Sequence, residues 1–151
     1  MGEEYVIEQE LLCVQIRGLC FGIAVEAVAE ILKNPAVSGM PWLPEYYLGV
    51  CNWNGEILPV AELDRLVSGR TSEGAVRNHV VIVIRDGQYV CGLQTDAPPF
   101  IMRVSEEDRL EGEGSEVSYS GCRVKGLYRA DGKTVALVDV KETLRGMAVC
   151  E

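Results

Sequence analysis

The sequence predicts a mainly β protein built from two related halves. Short apolar runs, each ended by a glycine-containing turn, recur along the chain. One run, residues 80–84, is apolar at every position, and residues 49–67 resemble residues 126–144. Short runs of this kind, separated by turn signals, are typical of β-strands.

Four dipeptides with glycine at the second position predict tight turns between neighbouring strands. Such pairs tolerate the positive φ angles that two-residue hairpin turns require. The pattern therefore predicts four β-hairpins. The turns are Arg17-Gly18, Asn54-Gly55, Asp86-Gly87 and Asp131-Gly132.

The run over residues 80–84 predicts a central strand that is covered on both faces, because it has no polar alternation. Gly22 and Gly92 each fall in the second strand of a predicted hairpin. A glycine inside a strand often marks a bend at the corner of a barrel. These positions favour closed barrels over flat sheets.

The resemblance between the halves indicates an internal duplication. Gly49 aligns with Gly126, and Gly55 aligns with Gly132. We interpret the chain as one domain, residues 1–151, with approximate subdomains at 12–67 plus terminal segments and at 79–145. Residues 68–78, rich in Ser, Gly, Arg and Thr, join the halves.

Helix is predicted only in short pieces. Residues 25–33 place apolar side chains at helical spacing, and Asn34-Pro35 follows as an end signal. Residues 62–67 and 141–145 are expected to form single turns after the last strand of each half.

Composition argues against nucleic acid and membranes as partners. The chain has 23 Asp and Glu against 14 Lys and Arg, a formal net charge of -9. This charge repels phosphate backbones and anionic lipids. The apolar runs are far shorter than the roughly 20 residues that span a bilayer. The acidic first ten residues do not match a signal peptide, so we expect a cytoplasmic protein without membrane insertion.

The sequence offers little for catalysis. His79 is the one histidine, and the six cysteines show no C-x-x-C spacing. Nucleotide-binding and hydrolase motifs are absent from the sequence. We therefore expect no enzyme activity, catalytic residue, cofactor or metal, and we expect the cysteines to be free thiols.

Proline-spaced aromatic residues in the segment 40–48 favour either packing across the barrels or a docking surface. Trp and Tyr are the types most enriched in binding hot spots. Both interpretations stay open for Trp42, Tyr46, Tyr47 and Trp53.

Prolines, glycines, an asparagine and apolar residues recur at fixed spacings within residues 40–63. The positions are Pro41, Pro44, Gly49, Val50, Asn52, Gly55, Ile57, Pro59, Val60 and Leu63. With these spacings the segment resembles the signature of the CheW-like family of chemotaxis coupling proteins. That resemblance implies two intertwined five-stranded SH3-like β-barrels with a few short helices. It also implies a non-catalytic adaptor that couples the regulatory domain of a CheA-type histidine kinase to the tips of methyl-accepting chemoreceptors. The partner-binding residues that it implies are Glu30, Ile31, Val50, Asn52, Trp53, Asn54, Gly55, Glu56 and Pro59.

One position departs from the family pattern. Asn54 stands where the family usually has arginine, and the adjacent Trp53 is bulkier than the usual aliphatic residue. Loss of the guanidinium removes donors that could pair with a carboxylate. An alternative is therefore a divergent CheW-like scaffold for another signalling or surface-motility pathway. An unrecognised small β-barrel enzyme is the third possibility.

Overall fold

The computed structural model describes residues 8–41, 43–44, 46–69, 79–111, 118–119 and 121–147. Within them the chain forms eleven strands and two α-helices, which confirms the mainly β class. The strands are β1 (Glu8–Ile16), β2 (Leu19–Ala24), β3 (Val28–Lys33), β4 (Tyr47–Trp53), β5 (Glu56–Glu62), β6 (Val80–Asp86), β7 (Tyr89–Thr95), β8 (Phe100–Ser105), β9 (Ser118–Tyr119), β10 (Cys122–Ala130) and β11 (Lys133–Val138). The helices are α1 (Leu63–Ser68) and α2 (Val140–Met147).

Three of the four predicted turns have positive φ at both central residues, as type I′ turns require. They are Arg17-Gly18, Asn54-Gly55 and Asp131-Gly132. The fourth hairpin turns one residue later than predicted, because Asp86 pairs with Tyr89 at the end of the strand ladder. Gly87 and Gln88 therefore form the turn, with glycine in the first central position that type II′ turns favour.

The two sheets interleave the halves of the chain. The first barrel has the strand order β8-β1-β2-β11-β10, extended by the short β9, and the second has the order β3-β6-β7-β5-β4. The β1–β2 hairpin thus joins strands of the second half, and the β6–β7 hairpin joins strands of the first half. Each exchanged hairpin makes one parallel pairing, β2 with β11 and β7 with β5. This exchange explains why the barrels are intertwined.

In each barrel an isolated β-bridge, at an equivalent position of the two halves, brings the two edges of the sheet together. Ser38, beyond β3, pairs with Val50 of β4, and Arg109, beyond β8, pairs with Tyr128 of β10. Strand register also shifts just before Gly49 in β4 and just before Gly126 in β10. These repeated irregularities support the predicted duplication.

The core has three parts. Each barrel encloses one apolar cluster, and a third cluster fills the seam between the barrels. In β6, Val81 and Val83 point into the second barrel, whereas Ile82 and Ile84 point into the seam. All four side chains are fully buried, so the prediction that both faces of this strand are covered is confirmed.

Gly22 and Gly92 occupy equivalent crowded positions inside the two barrels. A Cβ added at Gly22 would lie 2.9 Å from Cδ1 of Leu11, and one added at Gly92 would lie 2.6 Å from Cγ1 of Val81. The lack of a side chain therefore makes room for core packing in each exchanged hairpin.

The predicted helix over residues 25–33 is wrong. Val25–Ala27 form a single 3-10 turn, and Val28–Lys33 form β3. This segment pairs with the buried strand β6, from Val28 opposite Ile84 to Lys33 opposite Val80. The ladder supplies backbone hydrogen bonds that outweigh a weak local helical pattern.

The two short helices follow the last strand of each half, as predicted. Leu63 and Leu66 of α1 and Leu144 and Met147 of α2 are buried in the seam. Neither helix, nor any other in the described residues, is long and apolar enough to cross a membrane.

Each sheet takes strands from both halves, so residues 12–67 and 79–145 correspond to sequence repeats and not to barrels. Their division into subdomains stays a prediction. Most of the predicted joining segment, residues 70–78, lies outside the described residues.

Candidate partner-binding surface

The β4–β5 hairpin separates an inner face from an outer face. Cys51, Trp53, Leu58 and Val60 belong to the buried cluster of the second barrel. The alternate residues point outward, with Val50 opposite Pro59 and Asn52 opposite Ile57. We call these four residues the hairpin face.

Ile57 gives the hairpin face an unusual apolar centre. Its residue surface is 77% exposed, the largest fraction among the large apolar residues in the described ranges. Ile57 was not among the predicted partner-binding residues. The strand alternation contained the signal, because Leu58 and Val60 must face inward if β5 lines a barrel.

The Asn54-Gly55 turn caps one end of the hairpin face. Both residues are exposed, as is the neighbouring Glu56. The Gly55 N–H donates a hydrogen bond of 3.0 Å to Oδ1 of Asn52. This contact links the turn to the hairpin face.

Trp53 lies inside the barrel, which supports packing among the two interpretations that the sequence left open for it, and its role in partner binding stays a prediction. The residue is 8% exposed, and its indole Nε1 donates to Oε2 of Glu30 at 2.9 Å. The guanidinium of Arg85 lies 5.3 Å from the ring centroid, within the range of a cation–π contact. Trp53 therefore packs in the core and positions two charged side chains at the barrel end.

Glu30 and Ile31 lie on β3, the edge strand that meets the β4 edge where the second barrel closes. Glu30 is exposed but reaches Trp53, which connects it to the end of β4. Ile31 is 41% exposed and pairs with Ile82 in the neighbouring strand. The structure thus brings Glu30 into contact with the hairpin, and it places Ile31 as a separate exposed apolar residue on β3.

An apolar groove adjoins the hairpin face at Pro59. Its cavity volume is about 220 Å³. Tyr47 stands at one wall and donates its hydroxyl hydrogen to the carbonyl of Met147 at 3.0 Å. Burial raises the pKa of the Tyr47 phenol, so the ring stays neutral.

The sequence left packing and docking open for several aromatic residues. Tyr46, like Tyr47, packs beside the seam cluster, and Trp42 lies outside the described residues.

The cysteines of the described residues are buried free thiols. Burial raises the pKa of Cys91 and that of Cys122 to about 12. These thiols are protonated near neutral pH and are weak nucleophiles. The described parts of the chain bring together no group of three His, Cys, Asp or Glu suited to a metal ion. Cys150 lies beyond the described range.

The fold and this surface define a double-barrelled β protein with an exposed apolar hairpin. The profile of the CheW-like domain family matches residues 10–147. The chain belongs to this family, which confirms the resemblance seen in the sequence.

Individual relatives show the same similarity over most of the chain. Chemotaxis protein CheW of Rhizobium meliloti (strain 1021) is 29% identical over 132 residues, 87% of this chain and 84% of the relative. A probable chemotaxis protein CheW of Rhizobium etli is 32% identical, covering 89% of this chain and 86% of the relative. Protein FrzA of Myxococcus xanthus is 30% identical over 68% of this chain and 64% of its own length.

A solved structure supports the fold. The scaffolding protein TtCheW from Thermoanaerobacter tengcongensis superposes with a TM-score of 0.75 at 19% sequence identity. The match covers 88% of this chain and 90% of that protein. The prediction of two intertwined SH3-like barrels is confirmed.

Proposed function

We propose that this protein is a non-catalytic adaptor that couples chemoreceptors to a CheA-type histidine kinase in bacterial chemotaxis. The observation that carries the proposal is the hairpin face, an exposed surface made by the same segment that matches the family. Membership of the CheW-like family and the naming of its relatives as chemotaxis proteins support it. We expect the protein to act in the cytoplasm.

The proposed kinase contact centres on Ile57. Large apolar side chains that a partner can desolvate dominate binding energy, and polar neighbours exclude water around them. Asn52 opposite Ile57 and Glu56 beside it provide such a polar rim. Val50, Asn54, Gly55 and Pro59 complete the surface, and Trp53 acts from inside by holding Glu30.

Coupling requires two surfaces that can be occupied at the same time. The apolar groove adjoins the hairpin face at Pro59, and Ile31 is exposed on β3, so either surface is available for a receptor tip. A net charge of -9 favours basic or neutral protein surfaces as partners and disfavours nucleic acid.

Calorimetric titration against the regulatory domain of the host's CheA-type kinase tests the proposal. We expect Ile57→Asp to lower affinity by about tenfold or more, since a buried carboxylate in the interface lacks a partner. Ile101→Asp is the matched control, because Ile101 is 53% exposed on β8 of the other barrel. We expect that control to stay within about twofold of the wild type.

Distinct outcomes test distinct parts of the proposal. Equal affinity of wild type and Ile57→Asp would remove the hairpin face from the kinase contact. Absence of binding by the wild type to both the kinase domain and receptor tip fragments would overturn the coupling function.

A second candidate function rests on Asn54. This position lacks the arginine usual in the family, so the turn cannot form the corresponding charge-assisted contact. A divergent scaffold serving another signalling or surface-motility pathway would not need it. If the protein bound a partner from another pathway and did not bind the chemotaxis kinase, this alternative would be favoured.

A further inference from the structure

Asn54 differs chemically from the other asparagines of the chain. It alone is followed by glycine, whereas Asn34 precedes Pro35, Asn52 precedes Trp53 and Asn78 precedes His79. Because Gly55 has no side chain, its amide nitrogen is unhindered toward the Asn54 side chain. The surroundings are open as well, since a Cβ built at Gly55 would meet no atom within 4 Å. Asn54 is also exposed, so water reaches the turn.

We infer that Asn54 is a site of spontaneous deamidation and that the Asn52 side chain slows the reaction in the folded protein. The inference concerns the chemistry of the turn and does not depend on the proposed function.

The reaction consumes only water. The Gly55 nitrogen attacks Cγ of Asn54, a C–N bond forms, and the bond from Cγ to Nδ2 breaks. Ammonia leaves with the proton from the Gly55 amide, which gives a cyclic imide. Water then opens either carbonyl of the imide, so the product is aspartate or isoaspartate, with no change in oxidation state.

The folded turn opposes the first step in two ways. The Gly55 N–H is held by Oδ1 of Asn52 at 3.0 Å, and attack requires loss of this hydrogen. Asn54 is also fixed at φ +52°, within a type I′ turn whose strands hold it in register. Cyclisation therefore needs the hairpin end to open, and the hydrogen bond from Asn52 makes opening less frequent.

The products would change the turn in different ways. Aspartate adds one negative charge next to the exposed Glu56. Isoaspartate also inserts a methylene into the main chain of a two-residue turn, which cannot then keep Trp53 opposite Glu56. Deamidated molecules therefore accumulate with time, and they carry an altered surface at the β4–β5 hairpin.

Peptide mapping by mass spectrometry, after incubation at mildly alkaline pH, tests the inference. In the folded protein we expect Asn52→Ala to convert Asn54 faster than the wild type by about two- to tenfold, the range for one lost hydrogen bond. Asn52→Asp keeps an acceptor for the Gly55 N–H and should remain close to the wild type. Circular dichroism establishes that each variant is folded.

The same chains in concentrated urea provide the second arm. We expect all three to convert Asn54 at one rapid rate there, because the turn no longer exists. If the folded wild type converts as fast as the unfolded chain, or folded Asn52→Ala as slowly as the wild type, protection by Asn52 is wrong. If Asn54 stays intact even in urea, the site itself is wrong.

Discussion

The indole nitrogen of Trp53 donates a hydrogen bond of 2.9 Å to the carboxylate of Glu30, across the closing edge of the second barrel. The donor is buried and the acceptor residue is exposed. The contact therefore holds a surface carboxylate in place from within the core. An exposed glutamate would otherwise sample several rotamers, and ordering it on binding costs free energy.

We expect Trp53→Phe to weaken kinase binding through Glu30. Phenylalanine keeps an aromatic ring in the core but lacks the donor, so the carboxylate loses its fixed position. The expected loss is about 1 kcal/mol in both stability and binding. A double-mutant cycle with Glu30→Ala, which removes the acceptor, measures the coupling.

Glu56→Ala is the control for this cycle. It removes an exposed carboxylate at the same turn without touching the indole contact. Additive effects of Trp53→Phe and Glu30→Ala on binding would show that the indole does not act through Glu30.

Gly49 and Ser38 meet where the second barrel closes. The backbone of Ser38 exchanges two hydrogen bonds with Val50, at 2.8 and 2.9 Å. Gly49 has φ +157°, and a Cβ there would overlap the Ser38 carbonyl oxygen. We expect Gly49→Ala to lower the free energy of unfolding by about 3 kcal/mol or more, since the clash is with backbone. Urea denaturation measures it.

The duplication supplies a matched control. Gly126 occupies the equivalent place in β10, but an added Cβ would lie 3.3 Å from Cε1 of Tyr128 and 3.5 Å from the Arg109 guanidinium. These side chains can shift, so Gly126→Ala should cost about 1 kcal/mol or less. If both variants lost the same free energy of unfolding, the two barrels would accommodate an added Cβ at this position equally well, contrary to the prediction.

The buried thiols predict a loss of stability in alkali. The folded-state pKa of Cys91 is raised from 9.0 to about 12, chiefly by burial. Folding therefore retains a proton that the unfolded chain releases above pH 9, and stability falls as pH rises from about 9 toward about 12. We expect the free energy of unfolding to decrease over this window, and Cys91→Ala to flatten the dependence.

Cys51→Ala is the comparison for this effect. Burial raises the pKa of Cys51 as well, but the shift is smaller than at Cys91. The Cys51 variant should therefore keep most of the slope between pH 9 and 12. The same slope in Cys91→Ala and the wild type would mean that ionisation of Cys91 does not contribute.

Local chemistry made some features of this fold predictable. A dipeptide ending in glycine indicated each hairpin, although the β6–β7 turn lies one residue later, and the unbroken apolar run of β6 indicated burial on both faces. Strand β3 was mistaken for a helix, because its partner β6 lies about 50 residues away along the sequence and local spacing does not reveal it.

The candidate partner-binding surface, like the fold, could be predicted only in part from the sequence. The family pattern located the Asn54-Gly55 turn, whereas it did not show which side of each strand faces solvent. The residues alone left both packing and docking open for Trp53, the resemblance implied a partner-binding role for it, and Ile57 was not among the implied partner-binding residues. Only the alternation of the strand around a closed barrel separates the two positions.

Asn54→Arg distinguishes the two candidate functions. Arg17 already occupies the first position of a type I′ turn at φ +51°, close to the φ of +52° at Asn54. An arginine should therefore fit the turn, at a stability cost of about 1 kcal/mol or less. Because the Trp53 ring lies inside the barrel, Asn54 is the surface position that departs from the family, and a single substitution restores the usual group.

If the regulatory domain of the CheA-type kinase offers a carboxylate at this turn, Asn54→Arg should tighten binding by about 1 to 3 kcal/mol, through a charge-assisted hydrogen bond. Asp131→Arg is the control, since it places the same side chain in the equivalent turn of the other barrel. It also tests whether a less negative chain binds better by long-range attraction alone. Calorimetric titration of the wild type, Asn54→Arg and Asp131→Arg against the kinase domain measures the effect.

Weaker binding by Asn54→Arg would indicate a partner without that carboxylate, because the guanidinium would lose its water without gaining a partner. That result would favour the divergent scaffold. Unchanged affinity would place the turn outside the interface.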